Sequence, residues 1–208
     1  MPRDGREPQA RQTAPVIDVP DPSDGRSPRE RMRAGDLYIA DDPELHADHV
    51  RAMALVDEFN RSAENAPQER RRILDALLGA FGSGSEIRPP LYCDYGYQLR
   101  LGARCFVNFG LVALDVALIT IGDDVQIGPN VQLLTAAHPV EPELRRAKYE
   151  SAAPIALGAN VWLGGGVIVL PGVDVGADTV VGAGAVVTRS LPPGVVAVGN
   201  PARVIRSL

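Results

Sequence analysis

Three histidines, two cysteines and one lysine bound the chemistry this 208-residue chain can perform near neutral pH. His138 is the one placed where chemistry is expected. It closes a run of regularly spaced aliphatic residues and directly precedes Pro139, after which that regularity breaks. Imidazole titrates close to working pH, so a well-placed histidine can take a proton from a hydroxyl and pass it on. The plainer alternative is a surface histidine beside a turn-forming proline. His46 and His49 lie three apart in a helical stretch and could share a metal. Metal sites normally need three or more protein ligands, and no third stands at matching spacing, so none is expected. Cys93 and Cys105 have no Cys-x-x-Cys spacing and no evident base beside them, and read as buried filler.

What must position His138 is a repeat of period six. Aliphatic residues recur at Ile121, Ile127 and Leu133, then at Leu157, Leu163, Val169, Val175, Val181 and Val187. Glycine follows directly at Gly122, Gly128, Gly158, Gly164, Gly176 and Gly182. Neither a helix nor a lone strand repeats every six residues; a hexapeptide β-helix does. Three hexapeptides make one coil of a triangular prism. Coils are therefore expected at 101–118, 121–138, 157–174 and 175–192, with two-residue slips in phase before Leu101 and before Ile121. Residues 139–156 are too polar for a coil interior and are expected to leave the prism as a loop, which in a regular scaffold is often functional. Trp162 precedes an inward Leu163 and should face outward.

Upstream the period is helical. Residues 29–34 end at Gly35, and Asp42-Pro43 has the form of an N-cap followed by proline at the first helical position. Leu45, His49, Ala52, Leu55, Val56 and Phe59 keep to one stripe, as do Ile73, Leu74, Leu77, Leu78 and Phe81 in a third helix. A hairpin this small needs the prism to pack on. The chain thus reads as a disordered polar tail (1–28), a helical region (29–85) and a β-helix (86–208). A net charge of -5 argues against nucleic acid as a partner. No run is long and apolar enough for a membrane span or signal peptide, so a cytoplasmic protein is the default expectation.

Ile87 to Leu208 resembles the maltose and galactoside O-acetyltransferases and the related nodulation-factor acetyltransferases. The resemblance rests on CDYG from Cys93, NF at Asn108, LDV from Leu114, AAHPV from Ala136, LGANVWLGGG from Leu157 and VGNPARVIR from Val198. RAGDLY from Arg33 and LVDEFNRS from Leu55 extend it to about residue 30. It implies a mainly β fold, a left-handed parallel β-helix with a small helical N-terminal region, assembled as a homotrimer that binds acetyl-CoA between adjacent prisms. The handedness would be an exception to the usual right-handed crossover.

The resemblance also implies roles. His138 would be the general base and Asn108 would contact the acceptor and stabilise the transition state. Asp94, Asn108 and Asp115 would bind a sugar acceptor, with Asp115 alternatively a structural turn residue. Trp162, Gly165, Ala183, Thr188, Arg189, Arg203 and Arg206 would bind the acetyl-CoA, the backbone N–H of Gly165 facing the developing oxyanion. Trp162 could instead pack in the trimer, and the two late arginines could be solvated. Phe106, Val116 and Ala40 depart from the galactoside pattern, Asp41 being the neighbour of Ala40, whereas Asp94 and Val116 agree with the maltose branch. The expected reaction is acetyl transfer to a maltose- or glucose-like hydroxyl. A non-sugar acceptor and an inactive trimeric scaffold are the alternatives. A zinc lyase on the same solenoid would need three histidines where this one has one.

Overall fold

The computed structural model describes residues 24–208, so most of the tail expected over 1–28 lies outside the described residues. Its last part is structured. Ser27 caps α1 (Pro28–Ala34) in a capping box with Glu30, and Gly35 closes the helix in the left-handed region, φ 79°. Asp42 caps α2 (Pro43–Asn60), accepting from the N–H groups of Glu44 and Leu45, both at 3.0 Å. α3 spans Pro67–Leu77. Ala52, Val56, Phe59, Ile73, Leu74 and Leu77 are buried in one core with Ile87, Leu91 and Leu99 of the first coil. Burial of each large aliphatic or aromatic side chain there contributes about 1.5–3 kcal/mol before the entropy of ordering it. Asn60 fixes the approach through a two-way bond with Leu91: its amide donates to the Leu91 carbonyl at 2.9 Å and accepts from the Leu91 N–H at 2.8 Å.

Beyond the helices the chain is a parallel β-helix of three sides. Side one stacks Ala80–Phe81, Leu99–Leu101, Ile119–Ile121, Ile155–Leu157 and Asp174–Val175. Side two stacks Glu86–Ile87, Phe106–Val107, Gln126–Ile127, Trp162–Leu163, Val180–Val181 and Val195–Val198, and the antiparallel Arg203–Ser207 ends it. Side three stacks Leu91–Cys93, Leu111–Leu114, Gln132–Leu134, Ile168–Val169 and Val186–Val187. The aliphatic positions of the repeat face inward: Val107, Ile127, Leu163 and Val181 lie one above another on side two and are buried. The glycines that follow Ile127, Leu163 and Val181 sit where successive coils nearly touch. A Cβ on Gly164 would lie 2.5 Å from the Ala183 nitrogen.

Two boundaries differ from the sequence pattern. Ala80–Phe81 already forms the first rung of side one, so the prism begins before residue 86. The rungs of side three end at Leu134 and side one resumes at Ile155, so the excursion starts before His138 rather than after it. The reason is local pairing. Ala136–Ala137 forms an antiparallel ladder with Ser151–Ala152, which preserves backbone hydrogen bonding outside the prism. The two phase slips turn out to share a place with this excursion. Residues 94–98, 115–118 and 135–154 all leave from the edge between sides three and one. No helix among the described residues is long and apolar enough to cross a membrane.

Candidate active site

The edge between sides three and one is held by a buried carboxylate. Asp115 is fully inaccessible, and its two oxygens accept N–H bonds from Asp94 (3.0 Å), Tyr95 (2.8 Å) and Gln98 (3.1 Å). Gln98 answers by donating to the Asp115 carbonyl at 3.1 Å. Of the two roles expected for Asp115, its hydrogen bonds are those of the turn: the carboxylate is buried and spent on the backbone of 94–98. Burial pushes its carboxyl up to about 6, against the lowering effect of those N–H groups. One coil further on, Thr135 continues the brace, donating to the Leu114 carbonyl and accepting from Ala117 N–H at 2.9 Å.

This turn presents Asp94, half-buried. Burial pushes its carboxyl above the ordinary range; His49 opposes that shift and the charge of Glu150 adds to it. Nδ1 of His49 lies 3.0 Å from the Asp94 carbonyl oxygen. A carbonyl only accepts, so Nδ1 carries the proton. His46 is exposed, and among the described residues no three metal-ligating side chains converge.

His138 follows Ala136–Ala137 on the excursion and is exposed, with no hydrogen-bond partner for its imidazole among the described residues. Three strands brace it. Tyr149–Ala152 lies between Ala136–Ala137 and Tyr38–Ile39, and Tyr38 pairs with Glu150. α4 (Pro142–Arg146) fills the rest of the loop, with Arg145 donating to the carbonyls of Pro139 (2.9 Å) and Val140 (3.0 Å). Met32, Tyr38, Leu45, Tyr95 and Val116 form a small core beneath the sheet. Tyr38 and Glu150 carry no signal in the sequence pattern, and His49 reads there as part of the apolar stripe of α2. Glu150 sits in a stretch that reads only as polar, and its antiparallel partner is 112 residues away.

Five of the other residues expected in the site divide between two edges. Thr188 and Arg189 follow Val186–Val187 on the same edge as Asp94 and His138, and both are exposed. Asn108, Gly165 and Ala183 lie on the other edge, between sides two and three. Asn108 Oδ1 accepts from Phe109 N–H at 2.8 Å, leaving its amide donors free. The Gly165 N–H has no acceptor among the described residues, while its carbonyl accepts from Gly184 at 2.9 Å. Trp162 faces outward from side two, 55% exposed, between Gln126 and Val180 on the ladder. Arg203 and Arg206 are exposed on the terminal strand. Both cysteines are buried, and burial pushes their thiols up, away from the reactive thiolate.

A stacked prism of hexapeptide coils, headed by helices and broken at one edge by a strand-braced excursion, is the architecture of the hexapeptide-repeat transferases. Residues 31–82 match the maltose acetyltransferase hexapeptide capping motif, and residues 154–189 match the bacterial transferase hexapeptide repeat. Nodulation protein L of Rhizobium meliloti is 47% identical over 179 residues, covering 86% of this chain and 98% of the relative. A maltose O-acetyltransferase from Clostridium difficile superposes with a TM-score of 0.87 at 41% identity, covering 88% of this chain and 98% of that one. A galactoside acetyltransferase solved in complex with coenzyme A superposes at 0.84 with 38% identity, covering 88% and 91%. The chain belongs to the maltose and galactoside O-acetyltransferase family, and it is an acetyltransferase.

Proposed function

We propose that this enzyme, as a homotrimer, transfers the acetyl group of acetyl-CoA to a hydroxyl of a maltose- or glucose-like sugar. His138 takes the hydroxyl proton as the oxygen attacks the thioester carbon, and passes it to the departing thiolate sulfur. The acetyl carbon exchanges its bond to sulfur for one to the sugar oxygen, with no covalent bond to the protein. The Gly165 N–H, which has no acceptor among the described residues, is the donor for the oxyanion. Asn108 adds its free amide donors, and Asp94 holds an acceptor hydroxyl.

The observation that carries this reading is His138 itself: exposed, with both ring nitrogens unclaimed among the described residues, on an excursion fixed by strand pairing that leaves from the same edge as the turn of Asp94. The division of the site between two edges supports the trimer, since a neighbouring prism would bring Asn108 and Gly165 of one chain to His138 of another. The outer residues of side three between those edges are Tyr92, Val112, Gln132, Ile168 and Val186, a mostly apolar row suited to packing. Trp162, Ala183, Thr188, Arg189, Arg203 and Arg206 would line the donor groove, where arginine forks suit the phosphates of coenzyme A.

The test is release of free thiol from acetyl-CoA against glucose, maltose, galactosides, chito-oligosaccharides and non-sugar alcohols. Sugar-dependent release is expected. Turnover confined to a non-sugar alcohol would sink the sugar reading, and no turnover with no coenzyme A binding would sink the enzyme reading.

A further inference from the structure

Asp94 and His138, which the proposed reaction needs around one acceptor molecule, stand on two separate departures from the prism. A buried run of polar groups joins the roots of those departures. Gln98, Asp115 and Thr135 are all buried, and buried polar groups persist where they are hydrogen-bonded. Asp115 holds the N–H groups of Asp94, Tyr95 and Gln98, and the Gln98 amide donates back to the carbonyls of Asp115 and Val116. Thr135 makes the next link. Its hydroxyl donates to the Leu114 carbonyl and accepts from the Ala117 N–H at 2.9 Å, so one side chain grips both ends of the turn that carries Asp115. Its carbonyl accepts from the Ala153 N–H at 3.0 Å, which ties the departing and returning strands of the excursion at their base.

Only Ala136 and Ala137 separate this link from His138, paired with Ala152 and Ser151. Alanine brings little anchorage of its own, so the place of His138 is inherited from that ladder and from where Thr135 roots it. A misplacement of about 1 Å can cost on the order of 10²-fold in rate. Thr179 supplies a contrast. It is equally buried and donates to the Pro192 carbonyl at 2.8 Å, but on the edge between sides one and two, which carries none of the proposed site residues.

We propose that Thr135 is a positioning residue for the transfer. It touches neither substrate nor cofactor, and its hydroxyl sets where His138 stands relative to the Asp94 turn. This rests on the general-base reading of His138 and adds the residue that aims it.

The experiment measures thiol release with maltose and acetyl-CoA at saturation. Thr135→Val should lower kcat about tenfold with the donor KM held, and Thr135→Ser, which keeps the hydroxyl, should stay within about twofold of the parent. Thr179→Val should lower the unfolding temperature by a similar amount and leave kcat alone. Because Thr135 acts through His138, Thr135→Val should cost nothing further once His138 is replaced by alanine. Thr135→Ala removes the same hydroxyl and takes the place of Thr135→Val if the latter fails to fold. Parent-like kcat in Thr135→Val, an equal fall in Thr179→Val, or the full fall repeated on top of His138→Ala overturns the proposal while the base reading stands. Parent-like kcat in His138→Ala, or no turnover of maltose by the parent, overturns the reading on which it rests, and this proposal with it.

Discussion

The Tyr38 hydroxyl donates to the Glu150 carboxylate at 2.8 Å, joining the strand before α2 to the excursion that carries His138. Tyr38 is 1% exposed, and burial together with this bond pushes its phenol far above its ordinary value. The bond therefore acts as a fixed tie across a sheet of short strands. Tyr38→Phe keeps the ring and removes the tie. We expect a loss of about 1.5–3 kcal/mol, the worth of a hydrogen bond to a charged group. We also expect a severalfold fall in kcat, because the loop loses one of its anchors. Thermal unfolding and steady-state rates check both, and a variant with unchanged stability and kcat would show the tie to be idle.

Asp115 makes stability depend on pH in an unusual direction. Its carboxyl lies at about 6 in the folded chain against an ordinary 3.8. Between those values the folded state keeps a proton that the unfolded state has released. Stability therefore falls as pH rises through that window, by at most about 1.4 kcal/mol per pH unit. The cost is absent below the ordinary value and complete above about 6. Asp115→Asn should abolish this slope in chemical denaturation from pH 4 to 7. It should also lower stability by about 2–4 kcal/mol, because its amide would face N–H donors it cannot accept from. A slope that survives the substitution would assign the effect to another group.

These two residues show where the sequence was legible. The inward aliphatic ladder follows from side-chain period alone, so the three sides and the outward Trp162 could be read directly, whereas the packing of the helices was legible only as a need for the prism and not as a seat on its first coil. The two phase slips were visible at Leu101 and Ile121 as arithmetic only. Their meaning is spatial: both insertions emerge at the edge of the long excursion, and Asp115 closes the first of them by bonding back to a residue one coil earlier. Polar residues that pair across coils leave no periodic trace. Glu150, Tyr38 and His49 are of that kind, joined through antiparallel pairing or a single hydrogen bond to distant chain. The start of the excursion was misplaced for the same reason, since Ala136–Ala137 is as aliphatic as a coil and only its partner strand distinguishes it.

Neighbouring glycines should respond differently to alanine. At Gly164 the new Cβ would meet the Ala183 backbone nitrogen at 2.5 Å, so the coils must separate. At Gly165 it would meet Pro129 no closer than 3.4 Å, an ordinary contact. Gly164→Ala is expected to cost about 1–3 kcal/mol, and Gly165→Ala less than about 0.5 kcal/mol. Paired thermal melts decide the matter, and equal losses would contradict the stacking described.

Arg189, Arg203 and Arg206 are exposed, and none forms an ion pair among the described residues. If they serve coenzyme A phosphates, each change to alanine should raise the acetyl-CoA KM about tenfold, equivalent to about 1.4 kcal/mol, and leave the acceptor KM unaltered. Rising salt should weaken donor binding in the parent enzyme and do so less in the variants. An unchanged donor KM in all three would return these arginines to the solvated surface.

His138→Ala separates binding from chemistry. The imidazole is exposed and makes no hydrogen bond among the described residues, so its removal should leave unfolding temperature and coenzyme A affinity as they were. As general base it should account for a factor on the order of 10² or more in kcat. The residual rate should rise with pH as hydroxide replaces the missing base. Calorimetric titration with coenzyme A, together with a pH–rate profile on both proteins, tests the two halves independently. Retained kcat with an unaltered pH profile would move the proton transfer to another group, and the half-buried carboxyl of Asp94 on the same edge would be the next to examine.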